Sequence, residues 1–188
     1  MKNPRILGRL LAAGALLLSA GLAGASAPNT PAPQTDEALA ARVRHEIAMY
    51  PYYGIFDDVS YRVVNGNVEL SGAVTEPWKK SEIAKSVQRI PGVASLTNQV
   101  EVLPLSPMDN QLRWRIARAI YSDPALSRYA VQAIPPIHIV VDNGRVTLDG
   151  VVNNDLEKQV AGMRAATSGL SFGSVTNNLR VENPARKS

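Results

Sequence analysis

The stretch Val64-Asn65-Gly66-Asn67-Val68-Glu69-Leu70-Ser71-Gly72-Ala73-Val74 returns later in the chain as Val141-Asp142-Asn143-Gly144-Arg145-Val146-Thr147-Leu148-Asp149-Gly150-Val151-Val152. Asn65-Gly66 and Asn143-Gly144 match at an offset of 78, and so do Val68/Val146, Leu70/Leu148, Gly72/Gly150 and Val74/Val152. Asn-Gly between two runs of alternating apolar residues predicts a type I′ hairpin, because both central positions of that turn need φ > 0. A second pair, Thr97-Asn98-Gln99-Val100-Glu101-Val102 and Thr176-Asn177-Asn178-Leu179-Arg180-Val181, matches at an offset of 79. The chain is a tandem duplication of one small unit.

Around the first hairpin, Leu39, Val43, Ile47 and Tyr50 recur at helical spacing, with Thr35 or Asp36 placed to cap that helix and Pro51 to end it. Strands follow near Val59–Val64 and Asn67–Val74, then a helix from Pro77 with Ile83, Val87 and Ile90 on one face, stopped by Pro91-Gly92. A final strand spans Val93–Val102. The second unit repeats the order: Asp109 as cap, a helix with Leu112, Ile116 and Ile120, and strands near Ile137–Val141 and Arg145–Val152. A helix from about Asp155 with Leu156, Val160 and Met163 and a last strand near Ser174–Val181 complete it. The fold class predicted is α+β: two tandem α-β-β-α-β units, each a small mixed three-stranded sheet with two helices packed on one face. The domains read as 36–103 and 109–182, joined by a linker at 104–108 and followed by a tail at 183–188. A unit of roughly 70 residues is near the size at which one core is marginal, which predicts that the two units pack against each other.

Residues 1–25 read as an export signal: Lys2, Arg5 and Arg9 precede an apolar run from Leu10 to Leu22 and the small-residue site Ala23-Gly24-Ala25. Cleavage after Ala25 or after Ala27 fits. The apolar run is shorter than the roughly 20 residues a membrane-spanning helix needs. Residues 26–35 form a Pro-rich linker. These features point to a bacterial periplasm or beyond for the mature protein, with the periplasm as the expected location. Of the 20 basic residues, three fall in the first 25 positions, which hold no acid; the rest nearly balance the 16 acidic residues. The formal charge of +4 therefore gives no argument for nucleic-acid binding. The absence of cysteine excludes disulfides, thiolate zinc sites and thiol nucleophiles.

Asn-Gly-x-Val-x-Leu-x-Gly-x-Val, a helix, Gly-Val and then Thr-Asn-x-Val-x-Val resembles the BON domain, a family of bacterial envelope proteins that includes osmotically inducible periplasmic members. Gly66, Gly72, Gly92-Val93 and Asn98 fall on the pattern in the first unit, and Gly144, Gly150 and Asn177 in the second. There Gly169-Leu170-Ser171-Phe172-Gly173 replaces the compact Pro-Gly-Val turn. The resemblance implies an α-β-β-α-β fold, no catalysis, no cofactor, and binding to phospholipid or other envelope components, with links to osmotic and envelope stress and to chaperone-like activity. The glycines Gly66, Gly72, Gly92, Gly144 and Gly150 are fold positions under it and carry no binding role.

Catalytic patterns fail on context. Gly169-x-Ser171-x-Gly173 resembles a nucleophile elbow, but a helix precedes it, a strand follows, and both histidines lie upstream. His45 and His138 lie in different units without a carboxylate at ligand spacing, so no metal site is predicted. Asp57-Asp58 and Asn153-Asn154-Asp155 read as loop and cap residues. The informative feature is an asymmetry. On the second unit's first helix Trp114, Arg118 and Tyr121 follow one another on a face beside the core stripe, with Arg115 and Gln111 adjacent; the first unit has Ala41, His45 and Ala48 there. Such a stripe suits a headgroup boundary, where aromatic rings sit at the interface and arginines meet anionic lipid. Two other roles stay open for it: glue against the first unit, or contact with a protein partner. Trp78-Lys79-Lys80 and the Tyr50/Tyr52/Tyr53/Phe56 cluster are secondary candidates, with local packing the simpler role. The function read from the sequence is that of a non-enzymatic exported protein. It would bind an anionic phospholipid membrane surface or an envelope protein; the alternative is a periplasmic chaperone or adaptor that binds polypeptide.

Overall fold

The computed structural model describes residues 35–132, 134–168 and 174–182. The expected export signal, the Pro-rich linker up to residue 34, the Gly169–Gly173 turn and the tail at 183–188 lie outside the described residues. Helix α1 (Asp36–Ala48) is capped by Thr35, whose Oγ1 accepts from the Ala38 N–H at 3.2 Å, and it buries Leu39, Val43 and Ile47. Strands β1 (Asp58–Val64) and β2 (Asn67–Val74) pair antiparallel, with Val63 opposite Val68 and Tyr61 opposite Leu70. Their turn has φ 51° at Asn65 and 75° at Gly66, the left-handed pair that a type I′ turn requires. Helix α2 (Pro77–Gln88) starts on Pro77 and buries Ile83 and Val87. Strands β3 (Ser95–Asn98) and β4 (Glu101–Val102) both run parallel to β2, which is therefore the central strand.

The second unit has the same plan: α3 (Pro107–Tyr121), β5 (Ile137–Asp142), β6 (Arg145–Val152), α5 (Asp155–Ser168), β7 (Val175–Asn177) and β8 (Arg180–Val181). The extra residues between its first helix and first strand form the short helix α4 (Ser127–Ala130), which buries Tyr129. In both units the strand expected to be continuous is broken in two, and the asparagine of the repeated Thr-Asn explains the break. Asn98 donates from Nδ2 to the Lys80 carbonyl at 3.1 Å and accepts the Val100 N–H at 3.1 Å. Asn177 does the same with the Lys158 carbonyl at 2.7 Å and the Leu179 N–H at 3.2 Å. Each break turns Val100 or Leu179 into the core and ties the last strand to the second helix.

Two further expectations are corrected. Ser106, not Asp109, caps α3: its Oγ accepts the Asp109 N–H at 3.1 Å, and Asp109 lies in the first turn. The buried face of α5 is Glu157, Ala161 and Ala165, while Leu156 and Met163 are exposed. Small residues let α5 approach closely; even at Gly162 an added Cβ would meet Asn177 Nδ2 at 2.8 Å.

Each unit has its own apolar core, and the first unit reaches into the second. Ile55 and Phe56, from the loop between α1 and β1, pack against the core of the second unit. The Ile55 carbonyl accepts the Ile139 N–H at 2.7 Å, occupying a donor on the edge of β5.

Candidate functional site

The loop that carries Ile55 and Phe56 is shaped by Asp57, which is fully buried. Its carboxylate accepts from the Gly54 N–H at 3.0 Å, the Thr75 N–H and hydroxyl at 2.8 Å each, and Lys79 Nζ at 2.7 Å. All four donors satisfy one buried charge, the condition under which burial is tolerable. The corresponding joint in the second unit has its charges reversed. Glu157 stands where Lys79 stands and Asn153 where Thr75 stands. Glu157 accepts from Tyr129 Oη at 2.5 Å, the Asn153 N–H at 3.0 Å, Asn154 Nδ2 at 3.0 Å and the Arg128 guanidinium. Burial pushes the Glu157 carboxyl up, but Tyr129, the Asn153 N–H and Arg128 outweigh it and hold it below the ordinary carboxylate range.

A second repeated device clasps each hairpin. Asp36 accepts the Asn65 and Gly66 N–H groups at 2.5 and 2.9 Å; Asp109 accepts those of Asn143 and Gly144 at 3.0 and 2.9 Å. Beside Asp109, Arg113 is buried and donates from Nη2 to the Val141 carbonyl at 2.7 Å, while its buried Nε has no partner among the described residues. Burial lowers the Arg113 pKa, opposed by the nearby carboxylates of Asp109, Asp57 and Asp142. Sequence reasoning found none of these charged joints. The one available signal was an acidic residue early in the first helix of both copies.

With Leu112, Arg113, Ile116, Ala117 and Ile120 turned inward, α3 leaves Trp114, Arg115 and Arg118 on its outer face. The Trp114 ring is edge-on to Phe56 at 4.9 Å, yet the residue stays 56% exposed. Neither Arg115 nor Arg118 has a side-chain hydrogen bond or ion pair among the described residues. Tyr121 is half-buried and donates its hydroxyl to the Ile137 carbonyl at 2.7 Å; burial raises its pKa. Trp114, Arg118 and Tyr121 border one open hollow of about 330 Å³ with Ala117, Pro135 and, from the first unit, Ile55. Arg115 lies outside it. On the far side of Trp114 a second hollow runs to Phe56, Arg113 and the exposed Leu105.

The remaining candidates lie apart from this face. His45 is exposed beside Arg42 and Arg89 on the first unit, and His138 packs against Tyr53 at 5.4 Å. Among the described residues no three His, Asp or Glu side chains gather as metal ligands. Asp57 and Asp58 diverge: the first is the buried joint, and the second has its carboxyl raised by burial and then by Asp149. Trp78 stacks edge-on to Tyr52 at 5.1 Å, on the first unit. No described helix is long and apolar enough to cross a membrane.

Among solved structures, one of CdsD, a structural protein of the type III secretion system of Chlamydia trachomatis, aligns at 16% identity over 79% of this chain and 94% of its own, with a TM-score of 0.27. Another, of the C-terminal domain of the same protein, aligns at 15% identity over 74% and 94% with a TM-score of 0.26. Likenesses at these scores carry no argument. No curated protein matches the chain. Residues 35–104 and 109–183 each match the model of the BON domain, a non-catalytic binding domain of envelope-associated proteins that engages membranes or other envelope components. Two matches, one on each α-β-β-α-β unit and together spanning most of the sequence, mean that the chain belongs to the BON domain family, as a tandem pair.

Proposed function

We propose that this is an exported, non-enzymatic envelope protein that binds anionic phospholipid membrane through the outer face of α3. The observation that carries the reading is the half-exposed Trp114 ring flanked by Arg115 and Arg118, two guanidinium groups without partners among the described residues. An indole gains by settling at the headgroup boundary, and unpaired arginines gain by meeting phosphates in a region less polar than water. Tyr121 offers no hydroxyl to a headgroup, since that hydroxyl already donates to the Ile137 carbonyl. The proposal includes residues 1–25 as the export signal, 26–35 and 104–108 as linkers, 36–103 and 109–182 as the domains, and a periplasmic location. A role in osmotic or envelope stress would follow from that location.

Sedimentation with vesicles tests the reading. The protein should pellet with phosphatidylglycerol vesicles and not with phosphatidylcholine alone, and the bound fraction should fall as salt rises. Replacing one arginine should weaken binding about fivefold, the equivalent of about 1 kcal/mol per basic residue near the surface. Trp114→Ala/Arg118→Ala should abolish pelleting with an unchanged circular dichroism spectrum. A folded wild-type protein that does not pellet overturns the proposal. A second reading, polypeptide binding, is favoured by the exposed Leu105 and Met108 beside the far hollow; it would show as suppressed aggregation of an unfolded client without lipid.

A further inference from the structure

The hollow beside Trp114 has properties that adsorption to a membrane does not use. Its volume of about 330 Å³ lies at the lower end of the range of small-molecule sites, about 300–1,000 Å³. Its walls are largely apolar, and two of their polar groups are already occupied. Tyr121 Oη is bonded to the Ile137 carbonyl, and the Ile55 carbonyl to the Ile139 N–H, so both residues present carbon to the space. Among the described residues Arg118 is the one charged residue of the lining, it has no side-chain partner, and no carboxylate lines the hollow with it. An extended polypeptide would find no partners here for its own N–H and C=O groups at those positions. An apolar body with a negative end would satisfy both walls and rim.

We infer that this hollow receives one acyl chain of an anionic lipid, with the headgroup on Arg118. The site is composite. Ile55 belongs to the first unit and is carried by the loop that Asp57 fixes, whereas Trp114, Ala117 and Tyr121 belong to the second. A lipid in the hollow therefore touches both units and favours their docked arrangement, since a ligand that binds only one state stabilises that state. The inference rests on the membrane reading in assigning a lipid as occupant, and it adds a single-molecule site that adsorption does not require.

The test uses lysophosphatidylglycerol, one acyl chain on an anionic headgroup, titrated below its micelle-forming concentration into the full chain and followed by calorimetry. Saturable binding at one site per chain is expected. Ala130 lies on α4, borders the hollow and is exposed, so Ala130→Phe can fill the space without loading the core. That variant should bind the lysolipid about tenfold more weakly, while its circular dichroism spectrum and its pelleting with anionic vesicles stay as in wild type. Arg118→Gln should reduce the preference for lysophosphatidylglycerol over lysophosphatidylcholine about fivefold. A wild-type protein that pellets with vesicles but shows no saturable lysolipid binding overturns the hollow and leaves the membrane reading standing. Lysolipid binding without pelleting does the reverse. Binding that a folded Ala130→Phe leaves unchanged also overturns the assignment, because the chain then lies elsewhere.

Discussion

A methyl group added at Gly150 would sit 1.8 Å from the Pro136 carbonyl oxygen, while one at Gly144 would meet nothing within 4 Å. Both residues have positive φ, 124° and 77°, so both substitutions strain the backbone, but only the first also collides with it. Gly144→Ala should cost about 1–2 kcal/mol, the ordinary penalty of a left-handed residue. Gly150→Ala should cost more than about 3 kcal/mol, because strain and a backbone collision act together. Thermal melts of the two variants against wild type check the difference, and equal losses would refute it. The Asn-Gly turns were legible in the sequence because their requirement for φ > 0 is local. Asp109 and Arg113 were not. Their partners, the turn at Asn143-Gly144 and the Val141 carbonyl, lie about thirty residues further along the chain, and only the folded hairpin brings them near.

Among elements, α5 shows how a periodicity can be seen and its face still misjudged. Hydropathy points to Leu156, Val160 and Met163, but packing against α3 selects Ala161 and Ala165, and Glu157 is drawn inward by four donors. Glu157→Gln should destabilise the second unit by roughly 1–3 kcal/mol at neutral pH, through weakened hydrogen bonds to a buried group. The folded Glu157 titrates below its unfolded counterpart. Its stabilisation is therefore complete above the ordinary carboxylate range and is lost as pH falls through that range toward the folded value. Denaturant titrations across this interval should show the gap between wild type and Glu157→Gln closing as the solution is acidified. A gap independent of pH would mean that the carboxylate charge contributes nothing. On α3 the core stripe of Leu112, Ile116 and Ile120 and the neighbouring face of Trp114 and Arg118 could both be read from spacing alone. What spacing did not contain was the first unit's Ile55 and Phe56, which close a hollow on either side of Trp114.

For the whole molecule, the docking of Ile55 and Phe56 makes two marginal units support each other. Calorimetric unfolding of the wild type should give one transition. Ile55→Ser removes an apolar anchor from the second unit's core and should separate this into two transitions, with the total stability lowered by about 1–2 kcal/mol for a half-buried aliphatic side chain. A single unchanged transition would mean that the units are joined by other contacts. The reversed charges at the two joints matter for a different event, the moment when both halves of the chain are still folding. Tandem repeats of similar sequence risk exchanging equivalent helices and collapsing into hybrids. Here, α5 packed on the first unit would set Glu157 against the buried carboxylate of Asp57, and α2 packed on the second would set Lys79 against Arg128. Both hybrids set like charges where the native partners are opposite; the penalty is severe at the buried Asp57 and milder at Arg128, which is half exposed. The two copies of one ancestral unit are thereby biased against exchange, the second helix of each matched by sign to the segment that precedes its own hairpin.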